Sequence, residues 1–119
     1  MATKVTTLNN LEIAVLEPRG SIIGGGETDE FKTKARDLFE QGNRKLVIDL
    51  SGVTYINSTG IGALVGVYTM YSKDKGQIKL CGMNSSVQNI FVITKLSSVF
   101  EVVDTRDEAV KSLQAVAAS

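Results

Sequence analysis

The order of extended and helical patterns along the chain predicts an α/β fold, with one mixed β-sheet of four to five strands and about four α-helices. Three observations carry that expectation. Two opening apolar stretches are separated only by Asn9-Asn10, a pair that tolerates left-handed geometry and suits a tight antiparallel hairpin. Helical and extended patterns then alternate to the end, the signature of parallel strands joined by helical crossovers. The length, 119 residues, fits one ordinary domain spanning 1–119.

Val5 to Leu8 and Leu11 to Leu16 read as the hairpin strands. In the second, Leu11, Ile13 and Val15 alternate with Glu12 and Ala14, which predicts one more-buried face. Pro18-Arg19-Gly20 breaks the run. Ser21-Ile22-Ile23 reads as a further extended piece before Gly24-Gly25-Gly26. Thr28 or Asp29 is placed to cap a first helix running to about Gln41, with Phe31, Ala35, Leu38 and Phe39 at helical spacing and Gly42 as its stop. Lys45 to Leu50 has the branched apolar character of a central strand. A polar loop, Ser51 to Ser58, leads into a second helix beginning near Thr59 and ending at Gly76, with Ile61, Leu64, Val65 and Tyr68 on one stripe. Ile78 to Cys81 is the next strand, and Ser85-Ser86-Val87-Gln88 resembles a capping box for a third helix. Ser98 to Val103 supplies a last short strand. Thr105-Arg106-Asp107-Glu108 opens a fourth helix reaching about Val116.

Composition narrows the function classes. Thirteen basic and thirteen acidic residues balance to zero, against the electrostatic footprint that nucleic acid or an anionic membrane selects. No apolar run approaches the ~18 residues of a membrane span, and the first residues lack the apolar block of a secretory signal. A cytoplasmic protein is expected. The chain has no histidine and one cysteine. A nucleophile activated by histidine is therefore excluded, as are His/Cys zinc sites and any internal disulfide. No metal or cofactor is expected. Cys81 sits in a strand pattern and reads as an inert core thiol.

Four features remain as candidate sites. Gly60-Ile61-Gly62 with Gly66 has the look of a dinucleotide fingerprint, but its third glycine falls one residue late and no acidic residue ends the next strand. Close packing of a strand or a partner protein accounts better for these glycines. Gly24-Gly25-Gly26 lacks the Gly-Lys-Ser/Thr of a phosphate loop and reads as a contact loop or an irregular connection. Beside it, Glu27, Asp29 and Glu30 suit a helix first turn or a partner contact. Asp49, ending the central strand, either supports the following loop or faces a crevice. Most informative is Ser58-Thr59. It brings two hydroxyls to a helix start, where unpaired N–H groups and the helix dipole favour an anion. They cap the helix or receive a phosphate.

Asp49-Leu50-Ser51-Gly52-Val53 through Ile56-Asn57-Ser58-Thr59-Gly60-Ile61-Gly62 resembles the signature of the STAS domain, found in bacterial anti-sigma factor antagonists and sulphate transporter tails. The likeness runs from Val5 to about Leu113 and includes Leu80-Cys81-Gly82-Met83 and Leu96-Ser97-Ser98-Val99-Phe100. It implies a phosphorylation switch rather than an enzyme. The unphosphorylated domain would hold an anti-sigma factor that is also a serine kinase of the histidine-kinase-like ATPase fold. Phosphate on the first hydroxyl of the motif, Ser58, would break the complex, and a phosphatase would restore it. The resemblance places partner contacts at Ser21, Gly24, Gly25, Gly26, Glu27, Asn57, Thr59, Gly60, Ile61 and Gly62. The family usually has aspartate where this chain has Asn57, and a different, shorter sequence where it has Gly20 to Glu27. Asparagine keeps the hydrogen-bonding shape and loses the charge. A scaffold that is never phosphorylated and a nucleotide or lipid sensor are the rival readings.

Overall fold

The computed structural model of the chain describes residues 3–8, 10 and 12–115. The hairpin consists of β1 (Lys4–Leu8) and β2 (Ile13–Glu17), antiparallel from Lys4 opposite Glu17 to Leu8 opposite Ile13. Asn10, at φ 53°, takes the left-handed geometry in the turn. Asn9 and Leu11 lie outside the described residues, as does Val116, the expected end of the last helix.

Thereafter come β3 (Gly20–Ile22), α1 (Gly26–Glu40), β4 (Lys45–Asp49), β5 (Val53–Ile56), α2 (Ser58–Ser72), β6 (Gln77–Cys81), α3 (Ser85–Ile93), β7 (Glu101–Val103) and α4 (Arg106–Gln114). A five-stranded sheet has the order β1-β2-β4-β6-β7, with every pairing after the hairpin parallel. Each step moves one strand further in the same direction. Crossovers of one hand then put their helices on one face. Phe31 and Leu38 of α1, Leu64 and Tyr71 of α2, and Val87 and Phe91 of α3 accordingly share a core with Leu16, Ile48 and Leu80 of the sheet. The chain passes to the opposite face only for α4, whose Ala109 and Leu113 cover Ile13, Val15, Val47 and Cys81.

The mixed α/β architecture is as expected, and four local expectations are corrected. Ile13 to Leu16 are all buried, because helices cover both sides of β2. Val53 to Ile56 is not loop but β5, paired parallel with β3 in a separate two-stranded sheet. Its pattern gave no strand period: Val53 and Ile56 are buried around exposed Thr54 and Tyr55. Leu96–Ser98 is a 3-10 turn, leaving only Glu101–Val103 as the last strand. Finally, α1 starts at Gly26 after Gly25, with no side-chain cap. Thr28 instead accepts a hydrogen bond from the Gly24 N–H at 2.8 Å, closing the glycine loop rather than the helix. Among the described residues no helix is long and apolar enough to cross a membrane.

Candidate functional site: the loop that opens α2

Asn57 organises the loop. Its backbone is extended (φ −107°, ψ −173°) and its side-chain oxygen accepts the Gly60 N–H at 2.9 Å, so Asn57 is the N-cap of α2. The side-chain amide donates to the Ile23 carbonyl at 3.0 Å, and its own backbone N–H donates to Ile22 at 3.3 Å. One side chain thus starts the helix and ties it to the end of β3. Asparagine suits both tasks because it carries an acceptor and a donor. The expectation of a Ser58 or Thr59 hydroxyl as the cap is corrected, and both hydroxyls are left without that task.

Gly60 sets the depth of this joint. A Cβ there would stand 2.0 Å from the Ile22 carbonyl oxygen and 3.0 Å from Ile56 Cγ2. The first turn of α2 therefore lies directly on β3 backbone. Gly24, at φ 106°, brings the glycine loop over the same spot; a Cβ on it would be 3.2 Å from Thr59 Cγ2. Between these contacts Ser58 and Thr59 are exposed, and among the described residues neither hydroxyl makes a hydrogen bond. Asn57 takes the Gly60 N–H on its side-chain oxygen and the Ile61 N–H on its carbonyl (2.9 Å), so the Ser58 and Thr59 N–H groups are the ones left without an intrahelical partner at the positive dipole end. A serine ester carrying two negative charges fits there electrostatically.

Asp49 belongs to another arrangement. Its Oδ1 accepts from the Ser51 N–H (3.0 Å) and hydroxyl (2.6 Å), while Oδ2 takes Nε and Nη2 of Arg106, both at 3.1 Å. Arg106 also pairs with Glu17. Burial pushes the Asp49 carboxyl up, but the Ser51 hydrogen bonds and the Arg106 guanidinium outweigh it and hold the group below its ordinary value. Asp49 thus supports the loop that follows β4. Arg106 was not singled out from sequence, although a signal existed. A cation in a first helical turn opposes the dipole unless a carboxylate compensates. Cys81 is fully buried, and desolvation with the nearby Asp49 charge pushes its thiol up to about 12, which keeps it protonated and inert.

The fold and this loop are those of a known family. The STAS domain profile matches residues 4–109. The chain belongs to the STAS domain family. The anti-sigma-B factor antagonist of Listeria monocytogenes is 30% identical over 92 residues, covering 73% of this chain and 81% of the relative. Thermotoga maritima TM1081 superimposes with a TM-score of 0.85 at 22% identity over 94% of each chain. The Bacillus anti-sigma factor antagonist SpoIIAA, solved with and without its phosphate, gives TM-scores of 0.73 and 0.76 at 15% and 14% identity. Those matches cover 94% and 97% of this chain, and 99% and 100% of SpoIIAA.

Within this STAS domain the residues expected to form the partner surface are brought together unequally. Gly25, Gly26, Glu27, Thr59 and Gly62 are exposed, while Ser21, Gly24, Asn57 and Ile61 are half-buried. Gly60 is buried against β3 and shapes the loop. Close packing against a strand thus accounts for Gly60, whereas a Cβ on Gly62 or Gly66 would meet nothing of the chain itself within 4 Å. Two exposed apolar side chains missed from sequence, Ile23 and Tyr55, flank the loop through β3 and β5.

Proposed function

We propose that this STAS domain is a single-domain anti-sigma factor antagonist switched by phosphorylation of Ser58. Unphosphorylated, it holds a cytoplasmic anti-sigma factor that is also a serine kinase of the histidine-kinase-like ATPase fold, and a sigma factor is released. The kinase transfers the terminal phosphoryl group of ATP to Ser58 Oγ, ADP leaves, and the hydroxyl proton passes to a base on the kinase. Asn57, being an amide, cannot take that proton; its part is to hold the loop. A phosphatase returns the domain to its binding form. The relatives named for anti-sigma factor antagonism support this assignment of the partner class.

The observation that carries the reading is the division of labour at the start of α2. Asn57 does the capping, leaving Ser58 exposed and unengaged at an anion-tolerant position. The phosphate adds roughly −1.5 to −2 charges without refolding its own domain. A differential of about 3–4 kcal/mol against the partner weakens binding several-hundred-fold. Incubation with the cognate kinase and ATP should give stoichiometric phosphate on Ser58, read by peptide mass spectrometry. Phosphate on Thr59 alone, or none, defeats the proposal. Ser58→Ala should bind constitutively.

A small-ligand sensor would need a cavity at the Ser58 loop. Among the described residues, cavities of about 540, 330 and 170 Å³ are lined by neither Ser58 nor Gly24, Gly25 or Gly26.

A further inference from the structure

We infer that the groove between α1 and α2 docks an acidic amphipathic helix of the partner; this rests on the reading of the chain as an antagonist switched at Ser58. The two helices run side by side in the same direction. Gly24 meets Thr59 at their starts, and the Phe39 and Tyr71 rings meet edge to face, centroids 5.2 Å apart, near their ends. Between them lie openings of about 170 and 540 Å³ that share Gly66 and Met70 and so form one groove.

The groove wall is chemically unusual. Over all fifteen residues α2 carries no charge, although Gly62, Gly66 and Thr69 are exposed. A surface helix ordinarily shows a charged outer face, whereas depletion of charge marks the centre of a protein interface. The chain's own packing does not call for the glycines: a Cβ on Gly66 has open space around it.

The rim selects the occupant. Lys32, Arg36 and Lys73 line the groove, and among the described residues none of them is ion-paired. The one carboxylate there, Asp74, is already held by Arg44 Nη2 at 2.6 Å and Nε at 2.8 Å. An acidic helix complements this field. A second copy does not, because an isologous contact would bring the same three cations together. Ala63, at the groove's near end, is five residues after Ser58, or ~7.5 Å along the helix axis. That is within the Debye length of ~8 Å at physiological salt. Phosphate on Ser58 would therefore repel the acidic occupant as well as obstruct it, and groove and switch would act through one helix.

The test titrates the purified anti-sigma factors of the same organism against the wild-type chain, Lys32→Glu/Arg36→Glu, Gly66→Leu and Ser58→Asp. Both groove variants should bind about tenfold more weakly or worse, as like-charge juxtaposition and lost fit require. The deficit of the charge reversal should shrink at high salt and that of Gly66→Leu should persist. Gly66→Leu should keep a thermal midpoint at or above wild type, which separates lost docking from lost folding. Groove variants that bind like wild type while Ser58→Asp fails would overturn the groove and leave the switch standing. Weak groove variants with a fully binding Ser58→Asp would keep the groove and sink the switch. Failure of the wild-type chain to bind any of them removes both. Self-association of the wild-type chain that Gly66→Leu abolishes, or preferential binding to anionic vesicles, assigns the groove to another occupant and overturns the inference.

Discussion

The starts of α2 and α3 are built from the same parts. Each has an asparagine N-cap, Asn57 or Asn84, accepting the N–H three residues on, at 2.9 and 2.8 Å. Each asparagine amide also donates to a distant carbonyl, Ile23 at 3.0 Å or Val53 at 3.1 Å. Each cap is followed by two exposed hydroxyl residues, Ser58-Thr59 and Ser85-Ser86. What differs is the third residue of the helix. In α3 it is Val87, fully buried among core side chains. In α2 it is Gly60, pressed on the backbone of β3. An exposed serine after an asparagine cap is therefore not a site in itself. The α2 loop is set apart by its rigid seat on β3, the glycine loop beside it and the uncharged helix behind it.

The widest separation between the two loops should appear in binding. Ser58→Asp should lose several-hundred-fold in affinity, about 3–4 kcal/mol, whereas Ser85→Asp should bind as wild type in the same titration. Equal losses would make the two loops one surface. Next in size is Gly60→Ala, whose Cβ strikes the Ile22 carbonyl. It should cost on the order of 3 kcal/mol by overpacking, read as a lower urea midpoint. A neutral result would mean that the seat on β3 yields freely.

Acid should act away from both caps, at the Asp49 cluster that joins the Ser51 loop to α4. Asp49 stands beside Gly82, whose added Cβ would lie 2.7 Å from Oδ1. Its folded pKa is depressed, so its stabilisation is complete above the unfolded value of about 3.9 and is lost as pH falls through the folded value. Asp49→Ala should cost about 2 kcal/mol at pH 7 and reduce the acid-dependent loss seen in urea titrations between pH 7 and 3. An unchanged acid profile would remove Asp49 from the support of the Ser51 loop. Smallest is the cap itself: Asn57→Ala and Asn84→Ala should each cost about 1 kcal/mol. Only Asn57→Ala should alter the rate of Ser58 phosphorylation.

Much of this was legible in advance, and the failures share a cause. Apolar periodicity located all four helices, because a buried stripe repeats along the chain wherever it packs. It missed β5, whose partner β3 is some thirty residues upstream and whose burial does not alternate. The sequence pattern puts the caps of α2 and α3 one residue late, since Asn and Ser cap comparably. Extended backbone at Asn57 and Asn84 decides between them. The loop itself was readable from the motif around Ser58. The depth of Gly60, the Asp49–Arg106–Glu17 cluster and the groove beside α2 were not, as each joins residues far apart in the chain.

Residue pattern alone determined the element types, the mixed sheet, the lack of histidine and disulfide chemistry, and the candidate hydroxyl at a helix start. Those properties depend on local periodicity and on which groups exist at all. Tertiary structure decided which side chain caps α2, that Ser58 stays exposed while Gly60 is buried, and that Asp49 braces a loop. The physical reason is that exposure and hydrogen-bond partnership are settled only when distant backbone, here the end of β3, closes over the site.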